Sequence, residues 1–233
     1  MNQSEFEDSL KELGIILTDT QKEQLEKYYE LLVEYNKVMN LTGITEHDEV
    51  YLKHFYDSLT LSRVYDLKQD ISLCDIGTGA GFPGMVLKIV FPNLKVTLVD
   101  SLNKRIEFLR GVSEKLGIYN IELVSARAEE YALKNRECFD IVTSRAVASL
   151  PILLEYSIPL VKVNGYFIPM KGSKREEEDS LNALKLLNSK IEKIDAFSLP
   201  KEESMRTLYV INKSEKTSSK YPRKYADMKK KPL

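Results

Sequence analysis

The stretch CDIGTGAGFPG, residues 74–84, follows a short apolar run and contains four glycines within eight residues. Glycines at this density let another molecule approach the backbone closely. Its last six residues, GAGFPG, match the letters of the dinucleotide fingerprint G-x-G-x-x-G, and Asp100 ends the next apolar run. The stretch therefore predicts a strand, a tight turn and a helix around a nucleotide-like ligand, but the letters alone do not identify that ligand.

Strand-like and helix-like segments alternate on both sides of this stretch. From Ile71 onward, short apolar runs are separated by segments with helical periodicity. This alternation predicts an α/β fold with a mainly parallel, doubly wound sheet. The last two runs, IEKIDAFSL and RTLYVINK, have no helix between them. We therefore expect one of these two strands to be antiparallel.

The first 66 residues have a different pattern. Apolar residues recur at three- and four-residue spacing over residues 4–39, and a further helix is expected at about 46–64. We therefore predict an N-terminal helical cap over residues 1–66 and a Rossmann-like domain over 67–213. Residues 214–233 are predicted to form a separate basic tail.

The net charge of −1 conceals an uneven distribution. Residues 1–70 carry 7 Lys/Arg against 15 Asp/Glu, whereas residues 212–233 carry 8 Lys/Arg against 2 Asp/Glu. A basic tail on a nearly neutral body suggests a polyanionic partner. A solvated, disordered tail explains the composition equally well.

The composition also limits the class of protein. No apolar run is long enough for a transmembrane helix, and the acidic N-terminus lacks the features of a signal peptide, so we expect a cytoplasmic protein that does not bind membranes. Cys74 and Cys138 each lie beside an apolar run and are expected to be buried free thiols. With only two histidines, no metal site is predicted.

Two residues of the glycine stretch argue against a dinucleotide. Asp75 ends the predicted strand, where its charge would repel a pyrophosphate. Pro83 lies in the opening turn of the predicted helix and removes one of the N–H groups that would hold phosphates. S-adenosylmethionine (SAM) has no phosphate and carries a positive charge, so an acid near the loop favours it. Asp100 can accept hydrogen bonds from the ribose hydroxyls.

Several motifs in the same order resemble one family. DIGTGAGFPG resembles motif I of the class I SAM-dependent methyltransferases. LVDSLNKRIEFL, SARAEE, DIVTSRAVASL and the tail YPRK…KKPL resemble the glucose-inhibited division protein B family, bacterial enzymes that methylate N7 of a guanine in small-subunit (16S) ribosomal RNA. The resemblance extends from about residue 36 to Leu233. The tail has YADMK where the family pattern has Gly and Pro, so its path is not predicted.

The resemblance implies a class I methyltransferase fold, SAM as the cofactor, and 16S ribosomal RNA or the small ribosomal subunit as the partner of a monomeric enzyme. The SAM contacts that it implies are Asp75, Gly77, Gly79, Gly81, Phe82, Asp100, Ser101, Leu102, Ala128, Glu129 and Arg145. Glu129 also fits the first turn of a helix, where the helix dipole favours an acid.

Methylation at N7 requires little acid–base chemistry, because the N7 lone pair is already free. Catalysis is then mainly positioning and electrostatics, for which arginine suits guanine and phosphate. The candidates are Arg127, Arg145 and Arg206, with Asn40 as a polar anchor from the cap. Arg127 also fits a solvated charge and Asn40 a helix C-cap, and His54 is expected in the core of the cap. The open alternatives are another RNA or a small molecule as the substrate, or a non-catalytic RNA-binding module.

Overall fold

The computed structural model describes all 233 residues and contains a seven-stranded sheet. The strands are β1 (Ser72–Ile76), β2 (Lys95–Asp100), β3 (Ile121–Ser125), β4 (Phe139–Arg145), β5 (Val161–Lys171), β6 (Ser189–Ser198) and β7 (Met205–Lys213). Their order across the sheet is β3-β2-β1-β4-β5-β7-β6. The first five strands are parallel, and β7 is antiparallel to both β5 and β6. The predicted α/β sheet with one antiparallel strand is confirmed.

Helices cover both faces of the sheet. They are α1 (Gln3–Glu12), α2 (Asp19–Met39), α3 (His47–Val50), α4 (Asp57–Leu59), α5 (Gly84–Val90), α6 (Asn103–Lys115), α7 (Ala128–Lys134), α8 (Leu150–Ser157), α9 (Leu181–Leu186) and α10 (Tyr225–Lys230). None of them is both long and apolar enough to cross a lipid bilayer.

The N-terminal helices pack on the same face of the sheet as α5 and α6. A capping box at Thr18 begins α2, and the helix ends at Asn40 in the left-handed conformation. The single helix expected near residues 46–64 is instead a succession of α3, a π-helical stretch (Tyr51–Tyr56), α4 and a 3-10 turn (Thr60–Arg63). One continuous apolar cluster joins these helices to the sheet. The division of the chain at residue 66 stays a prediction.

The opposite face of the sheet carries α7, α8, α9 and the C-terminal tail. Tyr221 and Met228 of the tail are buried in the second apolar cluster, so the tail is docked against the sheet domain. Cys74 is buried as expected, whereas Cys138 is exposed because it lies in the loop before β4 rather than within the strand.

Lys213 illustrates how the fold uses a cation of the basic C-terminal region. Its side chain is completely buried, and its Nζ donates to the carbonyl oxygens of Ile158 (3.1 Å) and Val161 (2.8 Å). Lys213 belongs to the basic residues 212–233, whose charge suggested a polyanionic partner, but in the structure it is a core residue that satisfies buried carbonyl groups.

We expect Lys213→Ala to lower the free energy of unfolding by roughly 2–4 kcal/mol, because two buried carbonyl groups lose their donor. The exposed Lys216→Ala is the matched control and should change it by less than about 0.5 kcal/mol. Urea denaturation monitored by circular dichroism measures both. Equal stability of the two variants would contradict the structural role of Lys213.

Candidate functional site

A cavity of about 560 Å³ opens at the carboxyl ends of the parallel strands. The segments after β1, β2, β3 and β4 all contribute to its wall, together with Leu41, Thr42 and His54 from the N-terminal helices. Ligands of open α/β sheets bind at this edge. The glycine loop forms part of the cavity floor, with Gly77, Gly79 and Phe82 among the lining residues.

The amide N–H groups of the glycine loop are almost all used within the protein. Hydrogen bonds to other loop or strand atoms engage the N–H groups of Gly77, Thr78, Gly79, Gly81, Phe82 and Gly84. Pro83 has no N–H, and only the N–H of Ala80 lacks a partner. A pyrophosphate needs several free amides at such a turn. This loop therefore offers a ligand a close backbone surface rather than a phosphate cradle.

Asp75 lies beneath the loop and is fully buried. Its Oδ2 accepts from the Thr78 hydroxyl (2.7 Å) and the Gly84 amide (2.9 Å), while Oδ1 has no partner. Burial raises the pKa of this carboxyl to about 6. Asp75 is absent from the cavity wall, which differs from its predicted direct contact with the cofactor. It positions the loop from below instead.

Asp100 lines the cavity and holds the loop from the end of β2. Its Oδ2 accepts from the Gly79 amide (2.9 Å) and from Arg105 (3.2 Å), and its Oδ1 accepts from the Leu102 amide (2.9 Å). The neighbouring Ser101 also lines the cavity. Leu102 lies outside the cavity wall and is exposed, at the N-cap position immediately before α6.

Gly81 also lies outside the cavity wall. Its φ is +101°, and a Cβ there would lie 2.7 Å from Leu109 and 2.9 Å from Met85, besides contacting Tyr28. Gly81 therefore permits close packing of the loop against the core. Gly79, at φ +60°, is different, since a Cβ there would meet nothing closer than a loop carbonyl at 4.0 Å.

Three consecutive residues after β3 form another part of the wall. Ala128 and Glu129 begin α7 and line the cavity as predicted, and Arg127 precedes them. The Arg127 side chain is exposed and makes no hydrogen bond or ion pair within the protein. It is thus a free guanidinium at the cavity.

Arg145, at the end of β4, lines the cavity but is bound to the N-terminal helices. Its guanidinium donates to the Lys53 carbonyl (3.0 Å) and Asp57 (3.1 Å) and lies 5.2 Å from the centre of the Phe82 ring. Arg206 binds the other oxygen of Asp57 at 3.1 Å and is not part of the cavity wall. The two arginines therefore join the sheet to the cap through one buried carboxylate.

Asn40 is at the helix C-cap that was its alternative assignment, whereas His54 differs from its predicted place in the core of the cap. Asn40 is exposed and outside the cavity wall, with φ +49° at the C-cap of α2. His54 lines the cavity, stacked on Phe82 with ring centroids 4.5 Å apart. Sequence patterns missed it because its contacts with Phe82 and Arg145 join residues that are distant in the chain. Thr42, Val147, Tyr156 and Tyr225 also line the cavity and were not predicted, although Val147 and Tyr225 lie within motifs of the family resemblance.

Both ring nitrogens of His54 have polar partners. Nδ1 lies 3.1 Å from Arg145 Nη2, which can only donate, and 3.1 Å from the Lys53 carbonyl oxygen, which can only accept. Nε2 lies 2.8 Å from the Thr42 hydroxyl oxygen. Burial, followed by the charge of Arg145, lowers the pKa of His54 to about 3. His54 is a neutral residue of the wall at physiological pH.

This lowered pKa predicts a pH-dependent stability. The unfolded chain binds a proton at this imidazole below about pH 6.5, whereas the native protein does not until about pH 3. The free energy of unfolding should therefore fall as the pH decreases through this window, with a contribution of about 2–3 kcal/mol between pH 6.5 and 4. His54→Gln should lose this contribution, and His47→Gln, at the only other histidine, is the control. Identical pH dependence in urea unfolding of the wild type and His54→Gln would contradict the assignment.

Solved structures share this fold. A SAM-dependent methyltransferase from Aquifex aeolicus matches with a TM-score of 0.57 and 18% identity, covering 74% of this chain and 96% of that one. TYW2 of M. jannaschii, solved in complex with AdoMet, matches with a TM-score of 0.52 and 13% identity, covering 62% and 69% of the two chains. At these identities the comparison establishes the class I methyltransferase fold.

Sequence relatives are much closer. The "Ribosomal RNA small subunit methyltransferase G" of Staphylococcus epidermidis is 51% identical over 229 residues, 97% of this chain and 96% of that protein. The protein of the same name from Oceanobacillus iheyensis is 49% identical over 237 residues and the full length of both. The GidB family model, described as rRNA small subunit methyltransferase G, matches residues 21–207. With a match over most of its length, the chain belongs to the GidB family.

Proposed function

We propose that this protein transfers a methyl group from SAM to N7 of a guanine in 16S ribosomal RNA. Membership of the GidB family supports the reaction and its substrate class. The observation that carries the choice of cofactor is the glycine loop, whose amides are already bonded within the protein and leave no phosphate cradle beside the cavity. We further propose that the enzyme acts in the cytoplasm as a monomer, on naked RNA or on the small ribosomal subunit.

The residues of the cavity fit SAM. Two acids, Asp100 and Glu129, line a cavity whose size suits a cofactor. Asp100 and Ser101 would accept from the ribose hydroxyls, and Ala128 with Glu129 would hold the amino edge of the adenine. Gly77, Gly79 and Phe82 would lie along the methionine part. When bound, SAM supplies an activated methyl group, whose carbon a nucleophile can attack while the carbon–sulfur bond breaks and the neutral thioether leaves.

The protein's own task is positioning. Guanine N7 carries a free lone pair, so no side chain has to remove a proton before the transfer. The cavity agrees with this requirement, since His54, its one imidazole, is neutral and has both ring nitrogens engaged. The contribution of the chain would come from orientation and from fixed dipoles and charges.

The candidate arginines would have different roles. Arg127 is free of protein partners and would bind the guanine O6 or a phosphate. Arg145 would face the transfer centre while its hydrogen bonds hold the cap against β4. Arg206 and Asn40 lie outside the cavity wall. Arg206 would act by holding Asp57, and Asn40 by ending α2 beside Leu41 and Thr42.

The reaction is tested by incubating the protein with radiolabelled SAM and small ribosomal subunits, and then with 16S RNA free of protein. N7-methylguanine should appear at one position of the RNA, mapped by cleavage at the modified base. A protein that binds SAM but methylates another atom or a small molecule would overturn the proposed substrate. The absence of any SAM binding would indicate a non-catalytic RNA-binding module.

Gly79 tests the location of the cofactor. A valine side chain at this position should occupy the space where SAM contacts the loop, so Gly79→Val should abolish detectable SAM binding in calorimetry. Because φ is +60°, the substitution also strains the backbone by about 1–2 kcal/mol.

Gly117→Val is the matched control for this strain. Gly117 has φ +64°, is exposed, and has open space around it away from the cavity. Both variants should lose similar stability, and only Gly79→Val should lose SAM binding. If Gly79→Val bound SAM like Gly117→Val, the loop would not be the cofactor site.

The exposed lysines of the tail test the RNA contact. They are Lys216, Lys220, Lys224, Lys229, Lys230 and Lys231. Phosphate contacts release counterions, so replacing Lys229, Lys230 and Lys231 by alanine should raise the RNA KM and flatten its dependence on salt, with little change in kcat.

Three exposed lysines at the opposite edge of the sheet, Lys68, Lys95 and Lys134, provide the control with the same change in charge. Their replacement by alanine should leave the RNA KM and its salt dependence close to those of the wild type. Equal effects of the two triple variants in initial-rate assays at two salt concentrations would mean that only net charge matters.

A further inference from the structure

The C-terminal tail is held against the sheet domain by a buried acid. Glu155 of α8 has no exposed side-chain surface, and Arg223 of the tail binds both of its oxygens. The Arg223 side chain donates to Oε1 at 2.7 Å and to Oε2 at 2.6 Å, and its backbone amide donates to Oε1 at 2.9 Å. A buried carboxylate is costly unless it is paired in this way. This contact therefore fixes the chain immediately before α10.

A second arginine fixes the preceding part of the tail. Arg136, in the loop before β4, donates to the carbonyl oxygens of Thr217 (2.6 Å), Tyr221 (2.7 Å) and, more weakly, Ser218 (3.3 Å). Met228, one turn into α10, is fully buried in the second apolar cluster. The tail thus has one defined path between these anchor points.

This path brings Tyr225 into the wall of the cavity. Tyr225 is the first residue of α10, two positions after Arg223, and it lines the same cavity as Glu129 and Ala128. Tyr156 of α8 lines the same cavity. Burial raises the pKa of the Tyr156 hydroxyl, and the nearby Tyr225 and Glu129 raise it further. The hydroxyl of Tyr225 has no hydrogen-bond partner, and its side chain is 38% exposed. The ring therefore has a free surface toward the cavity.

We propose that Tyr225 is a cofactor-contact residue that supports the adenine of SAM by stacking, and that the Arg223–Glu155 pair positions it. This inference rests on the proposed function. Under this proposal, the tail contributes to the cofactor site as well as to RNA binding. The group bound there is a flat purine ring, which lies between the face of the Tyr225 ring and the carboxylate of Glu129.

The neighbours of Tyr225 favour the cofactor's adenine over the target guanine. Tyr225 belongs to the tail and α8 face of the sheet, whereas His54 and Thr42 line the cavity from the opposite, cap face. Arg145, which would face the transfer centre, binds the cap side. The purine nearest to Tyr225 is then the one held by Ala128 and Glu129.

The test is calorimetric titration of the full-length protein with SAM in the absence of RNA. Tyr225→Ala should weaken SAM binding by about 10-fold, the size of effect expected for loss of an aromatic stacking partner. Tyr225→Phe keeps the ring and should bind within about 2-fold of the wild type. Tyr119→Ala, at an exposed tyrosine before β3 and outside the cavity wall, is the control and should also bind normally.

The outcomes separate this inference from the proposed function. If the wild type binds SAM and Tyr225→Ala binds equally well, the stacking contact is wrong while the proposed function stands. Normal SAM affinity with a raised RNA KM in Tyr225→Ala would place the target base, not the cofactor, on the ring. A loss in Tyr225→Phe as large as in Tyr225→Ala would overturn stacking, because only the hydroxyl differs.

The positioning role of Arg223 needs a double-variant comparison. Arg223→Ala should weaken SAM binding in the wild-type background but cause little further loss in the Tyr225→Ala background, after thermal unfolding has established that the variants are folded. Equal losses in both backgrounds would overturn the role of the pair. The Tyr225 variants test the stacking contact independently if Arg223→Ala does not fold.

Discussion

Internal hydrogen bonds determine what the glycine loop can bind, and two carboxylates supply those at its two ends. Asp75 holds the loop from below through Thr78 and Gly84, and Asp100 holds it from the side through the amide of Gly79. Each of these bonds removes a donor that a phosphate would otherwise use. The same residue letters that form a pyrophosphate site in dinucleotide-binding proteins therefore produce a closed loop here. A cofactor can lie against this loop, but the loop does not grip an anion.

Two buried carboxylate–arginine contacts, one on each face of the sheet, attach the cap and the tail on either side of the cavity. On one face, Asp57 of the cap binds Arg145 and Arg206 of the sheet. On the other, Glu155 of the sheet domain binds Arg223 of the tail. In each case, removal of the arginine would leave a buried carboxylate without its cation, which strongly destabilises a fold. His54 of the N-terminal helices and Tyr225 of the C-terminal tail therefore line one cavity, and each segment is held there by a buried ion pair that is costly to break.

The sequence was sufficient to predict the mainly parallel sheet, an antiparallel strand among the last two, the glycine loop and the segments after β2 and β3. These features are local, since strand periodicity and glycine spacing act within about ten residues. Lys213 and Leu102 show the limit of that reasoning. Whether a lysine reaches solvent or a buried carbonyl depends on elements packed from elsewhere in the chain, and the direction of Leu102 depends on where α6 begins. His54 could not be placed at the site from local sequence, because its contact with Arg145 joins residues that are 91 positions apart.

The basic tail has less free charge than its composition suggests, and this changes what the tail can do. Lys213 and Arg223 are bound to partners within the protein, so the cations that remain available are the exposed lysines around and within α10. At about 1.5 Å per residue, the start of this helix at Tyr225 and the lysines near its end are separated by less than about 10 Å. Under the proposed function, one short element that is fixed at both ends would contact the cofactor with one end and RNA phosphates with the other. A disordered tail could supply the same charge but could not hold an aromatic ring in the cavity wall. The position of Tyr225 therefore depends on the buried Arg223–Glu155 contact and not on the net charge of the tail.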